Sequence, residues 1–119
     1  MIGMDTNTVD SEYIDFDDGL ARVGGNVALY KRLLGHFVDE NLYDALEDFL
    51  MTGKMEDATR QAHSIKGVSS NLSLVKLHSI SIELERSLKD NDDYSSHLIE
   101  FKEAFSITTE KIRKLLDEV

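Results

Sequence analysis

The sequence predicts an all-α fold, an antiparallel four-helix bundle with a short additional N-terminal helix. Three observations carry that expectation. Proline, which breaks helix interiors, is absent from all 119 residues. Apolar residues recur at steps of three and four along most of the chain, the spacing of one helix face. No segment sustains a period-two alternation, so no sheet is expected.

The elements follow in order. Residues 1–12 are polar, acidic and aperiodic, and read as a flexible acidic tail; 13–119 read as one helical domain. A short helix is expected from about Asp15 to Val23, with Leu20 and Val23 turned inward. Gly24-Gly25-Asn26 breaks it, and Asn26 is a good N-cap. A long helix should run from Asn26 to about Met51. Tyr30, Leu33, Leu34 and Phe37 form its first apolar stripe, and Leu42, Ala45, Leu46 and Phe49 its second. The register shifts across Asp39-Glu40-Asn41, where a bend or interruption is expected, and Thr52-Gly53 closes the helix.

The next helix is expected from about Lys54 to Ser70, with Ala58, Ala62, Ile65, Ser69 and Leu72 inward; Gln61 is a polar blemish near that stripe. Asn71-Leu72-Ser73 makes the turn, with Ser73 available as a cap. Another helix runs from Leu74 to about Lys89 on Leu77, Ile80, Leu84 and Leu88, and Asp90-Asn91-Asp92-Asp93 ends it. The last helix has the cleanest seam: Leu98, Phe101, Phe105, Thr108, Ile112, Leu115 and Val119. Short connections between similar helices favour antiparallel neighbours.

Composition narrows the function. A chain of this length holds one core. Without cysteine it has no disulfide, no thiolate ligand and no cysteine nucleophile. The net charge is −10, and residues 1–21 contain no Lys or Arg, so nucleic acid and anionic membranes should be repelled. No apolar run is long enough to span a bilayer, and the N-terminus does not read as a secretory signal. A cytoplasmic location is expected.

The candidate site is Ala62-His63-Ser64-Ile65-Lys66-Gly67. At about 100° per residue, His63 points away from the inward Ile65, toward solvent. Lys66, Gly67 and Ser70 share its face, and Thr59 and Arg60 flank it one turn earlier. A neutral imidazole offers a ring nitrogen lone pair and needs no dedicated base to act as a nucleophile. An ammonium one turn away could offset the charge of a phosphoryl group. Gly67 costs about 1 kcal/mol relative to Ala in a helix interior. Close approach by a partner is the simplest compensation. Ordinary readings exist for each residue: a solvated histidine, a surface lysine, and a glycine at a packing contact or a frayed helix end.

The motif resembles the histidine-phosphotransfer (HPt) family. Its A-H-x-x-K-G hallmark, followed by small polar residues, stands here as Ala62 through Asn71. The resemblance continues in Leu77 and Leu84-Glu85, and upstream in the segments Gly19–Asn26 and Leu29–Leu34, ending at Phe37; it covers about residues 14–115. The family often has glycine where this chain has Ser73.

The resemblance implies a phosphorelay intermediate. His63 would accept a phosphoryl group, through Nε2, from an aspartate on a response-regulator receiver domain and pass it to a second receiver. Lys66 would stabilise phosphoryl charge and Gly67 would let the partner come close. Ser70 could hydrogen-bond the phosphoryl group or the lysine. The protein would need no cofactor of its own, with Mg²⁺ on the receiver. Its partners would be receivers and a hybrid sensor histidine kinase. The domain would be a monomer, either free-standing or the cytoplasmic domain of a larger sensor kinase.

Other classes are weighed against this reading. No Walker-type or other Gly-rich nucleotide segment is present, so a phosphocarrier without autonomous kinase activity is expected. A di-iron bundle needs Glu-x-x-His pairs, but Leu33, Arg60, Val75 and Tyr94 stand three residues before the four histidines. The alternative is a receiver-binding helical module without phosphotransfer. It would have no use for His63. Val75 and Ile82 could extend an apolar docking patch on it.

Overall fold

The computed structural model describes residues 11–117 as six helices and, among those residues, no strand. They are α1 (Phe16–Arg22), α2 (Val27–Glu40), α3 (Leu42–Met51), α4 (Met55–Asn71), α5 (Val75–Lys89) and α6 (Ser95–Asp117). Residues 1–10 of the expected acidic tail, and Val119 of the last seam, lie outside the described residues.

α2 and α3 follow one another with only Asn41 between them, α4 and α5 form a helical hairpin with α3 packed on α4, and α6 packs between α5 and α2. The result is an elongated bundle of 47 × 22 × 22 Å. No helix among the described residues is long and apolar enough to cross a membrane.

The expected long helix is interrupted at Asn41, within the shift of register that the sequence shows. Asn41 adopts a left-handed conformation (φ 54°), which Asn tolerates better than most residues. Its side-chain amide donates to Asp44 Oδ2 at 2.6 Å. The turn lets both apolar stripes face one core. Phe37 from α2 and Tyr43 from α3 meet Phe101 and Phe105 from α6, with ring centroids 5.5–6.1 Å apart. Such pairs add about 0.5–1.5 kcal/mol each beyond their buried area.

Local signals set the other boundaries. Asn26 Oδ1 accepts from the Leu29 amide at 3.0 Å and caps α2. Gly53 supplies the positive φ that ends α3. Asp93 Oδ1 accepts from the Ser95 amide at the start of α6. Gln61 is explained by its contact: its amide donates to the Leu42 carbonyl at 3.0 Å, tying α4 to the start of α3.

Ser73, available from its position as a cap for α5, does not cap it; the N-cap residue is Leu74. It sits in the turn at φ 58°, the conformation glycine adopts most freely. The strain is offset by a lock onto α1. Ser73 Oγ donates to Asp18 Oδ2 at 2.6 Å, and its carbonyl accepts from the Asp15 amide at 3.0 Å. The Ser73 hydroxyl, and then Arg22, hold the Asp18 carboxyl below its ordinary range.

The same turn is held from α2. Tyr30 is fully buried, and its hydroxyl donates to the Leu72 carbonyl at 2.6 Å. The ring lies against Gly19 of α1, where any Cβ would collide with the Tyr30 hydroxyl. Leu20 and Val23 pack at the edge of the core, half-buried, while Gly19 is the residue of α1 that is fully enclosed. Tyr30 cannot swing aside without breaking its bond to Leu72. Gly19→Ala is therefore expected to destabilise the fold by about 1–3 kcal/mol, read as a lower urea midpoint with the helical circular-dichroism signal unchanged at zero denaturant.

Candidate functional site

The site is built on the α4–α5 hairpin. Small inward residues on α4, Ala58 and Ala62, are completely buried and let the neighbouring helices approach closely. The Leu74 amide donates to the Ser69 carbonyl at 2.8 Å and closes the turn. His78 is the fourth residue of α5, and its Nδ1 lies 3.1 Å from the Lys66 carbonyl. A carbonyl only accepts, so His78 Nδ1 carries the proton. These bonds fix the two helices in register around one face.

His63 projects from that face, its side chain 65 % exposed. Its Nδ1 lies 2.8 Å from Glu85 Oε2 on α5. The Lys66 ammonium lies 2.7 Å from Glu85 Oε1, and the Lys89 ammonium 3.3 Å from Oε2. The Glu85 side chain is only 5 % exposed. Burial alone would raise its carboxyl, but the hydrogen bonds from Lys66, His63 and Lys89 outweigh that and hold it at about 2. It is therefore a carboxylate at neutral pH.

A carboxylate can only accept, so Glu85 requires the proton on His63 Nδ1. The neutral ring then carries its lone pair on Nε2, on the side away from Glu85. If Nε2 forms a bond to an electrophile, positive charge spreads over the ring. The buried carboxylate stabilises that charge in surroundings of low dielectric constant. The geometry thus supplies an oriented nitrogen nucleophile with a counter-charge behind it.

The other residues singled out in the sequence take distinct places. Lys66 is bound to Glu85 and adjoins the ring through it. Gly67 is exposed, and a Cβ built on it would meet nothing within 4 Å. Packing inside the bundle therefore does not explain this glycine, and open space lies over it. Ser70 is half-buried and is not the lysine's partner; that ammonium is taken by Glu85. Among the described residues no group of three or more His, Cys, Asp or Glu side chains could hold a metal ion.

Glu85 is the site residue that sequence reasoning passed over, noting it only beside Leu84. A signal was present. Leu77, Ser81 and Glu85 follow at steps of four, and all three are buried. A glutamate on an inward stripe needs cations, and Lys89 stands one turn further along α5.

Comparison with known proteins adds one finding. A family model described as Hpt domain matches residues 32–119. Neither the curated proteins nor the solved structures returned a match.

The Glu85 carboxyl has a lower pKa folded than its ordinary 4.5, so its contribution to stability has a definite sign. That contribution is complete above about pH 4.5 and is lost as pH falls toward about 2, with up to about 3 kcal/mol at stake. Urea unfolding at pH 7 and pH 3 should show it. In Glu85→Gln the pH 7 stability should drop, and the acid-side slope should flatten.

Proposed function

Since the chain belongs to the Hpt domain family, a family of phosphocarrier modules in two-component phosphorelays that interact with response-regulator receivers, we propose that it carries phosphoryl groups on His63 between receiver domains. The observation that supports this most is the pairing of His63 Nδ1 with the buried Glu85 carboxylate, which leaves Nε2 as the exposed nucleophile.

The transfer balances without an added base. The Nε2 lone pair attacks phosphorus of an aspartyl phosphate; the N–P bond forms and the acyl O–P bond breaks. The aspartate leaves as a carboxylate with the bonding pair. Nε2 has no proton to lose, and Nδ1 keeps its own on Glu85. Passage to the aspartate of a second receiver is the same step reversed. The receiver supplies Mg²⁺ and the acidic pocket. This chain supplies the nucleophile, the field of Lys66 on the phosphoryl oxygens, and the clearance over Gly67. Ser70, one turn beyond Lys66 and half-buried, is assigned to a phosphoryl oxygen.

The rest of the reading follows from that role. The chain is a carrier without kinase activity of its own, so its phosphoryl groups originate in a partner such as a hybrid sensor kinase. It acts in the cytoplasm, where receivers are found. It works as a monomer, because the bundle encloses its own core.

Mixing the protein with a phosphorylated receiver should yield one acid-labile phosphoryl group by intact mass. His63→Gln should remove it completely. Gly67→Arg should leave the urea midpoint near wild type while blocking transfer, since the new side chain occupies the partner's approach. Normal labelling of the His63→Gln protein would move the site elsewhere. Binding of receivers with no transfer by the wild type would favour a docking module.

A further inference from the structure

Lys66 is held at both ends by one face of α5. Glu85 Oε1 takes its ammonium at 2.7 Å, and His78 Nδ1 donates to its carbonyl at 3.1 Å. His78 and Glu85 stand seven residues apart on α5, about two helical turns, so the same side of that helix presents both. The pair with Glu85 belongs to the site already described. The bond from His78 does not: it reaches backbone in the interior of a helix, where the carbonyl already has a partner.

That carbonyl belongs to the Lys66–Gly67 peptide. Inside α4 it accepts from the Ser70 amide, four residues on. Ser69 Oγ also donates to it, at 3.0 Å. A carbonyl oxygen has two lone pairs, so Ser69 competes with the helix's own hydrogen bond. Gly67 weakens the same turn, because glycine loses the most backbone freedom when it enters a helix. It also has no side chain to pack, and a Cβ there would meet nothing within 4 Å. The turn that carries Lys66 is thus weak by its own sequence. The half-buried His78 ties it to α5 from outside.

Resting on the phosphocarrier reading, we infer that His78 is a positioning residue: its Nδ1–H braces the Lys66–Gly67 peptide and offsets the weakness that the open glycine brings. A receiver approaching over Gly67 then meets a firm helix, and Lys66 keeps its place beside the phosphoryl group. His78 touches no reacting atom. Without the brace the Lys66 backbone has more freedom, its ammonium is less well placed, and transfer is sensitive to such displacements.

The test compares wild type with His78→Phe and His78→Asn. Phenylalanine keeps an aromatic ring and loses the donor. Asparagine loses the ring and keeps a donor two bonds from Cβ, where Nδ1 stands. Single-turnover transfer is measured up to saturating receiver, the receiver being charged with a small acyl phosphate. Amide exchange at Ser70 and Asn71, followed by NMR without receiver, reads the turn itself, and circular dichroism checks that each variant is folded. His78→Phe should slow transfer at saturating receiver about tenfold, in keeping with the rate cost of misplacing a catalytic group by a fraction of an ångström. It should also speed exchange at both amides. His78→Asn should recover most of the rate and of the protection. In a Gly67→Ala background, His78→Phe should change exchange less, because alanine firms the turn by itself. A wild-type rate in His78→Phe would overturn the inference. Equal slowing in both variants would do the same, since the effect would then belong to the packing of the ring. So would a slowed rate with unchanged exchange, which would place the action of His78 on the partner. A wild-type protein that takes no phosphoryl group from any receiver would remove the carrier reading, and the role given to His78 with it, even where exchange shows the brace.

Discussion

The Glu85 carboxylate is almost entirely withdrawn from water, and it stays ionised only because three cationic or proton-donating groups converge on it. An isolated buried carboxylate would take up a proton instead. The site therefore stands as a unit. Glu85 sets the tautomer of His63, the lysines set the charge of Glu85, and the register of α4 against α5 sets all of their positions. Removing any one member changes the state of the others.

The bundle exists, in this sense, to hold that register. The hairpin turn is clamped from two sides. α2 reaches it through the buried Tyr30 hydroxyl on the Leu72 carbonyl, and α1 through Asp18 and the Asp15 amide on Ser73. At the middle of the hairpin, His78 bonds the Lys66 carbonyl, one turn from the phosphoacceptor candidate. The aromatic group around Phe101 and Phe105 joins both α2 and α3 to α6. Each clamp lies away from the exposed face, which leaves His63 and the space above Gly67 open to a partner.

Much of this was legible in the sequence, because periodicity and caps are local. The stripes on all the long helices, the cap at Asn26 and the irregularity near Asn41 rest on neighbours within one or two turns. The face of His63, Lys66 and Gly67 follows from helical geometry in the same way. What was not legible depends on contacts between distant residues. Ser73 looked like a cap for the helix after it, yet its hydroxyl crosses 55 positions to Asp18. Gln61 looked like a flaw until its amide found the Leu42 carbonyl. Glu85 lies 22 residues from His63, and only the pairing of α4 with α5 shows that it faces the ring rather than solvent.

The central claim is that the buried carboxylate makes Nε2 of His63 the atom that carries the phosphoryl group. The direct measurement is NMR of the ¹⁵N-labelled, phosphorylated protein, which identifies the ring nitrogen bonded to phosphorus. The account predicts one phosphoryl group, on Nε2 of His63, with Nδ1 still protonated and hydrogen-bonded. Phosphorus on Nδ1, or on any residue other than His63, would contradict it.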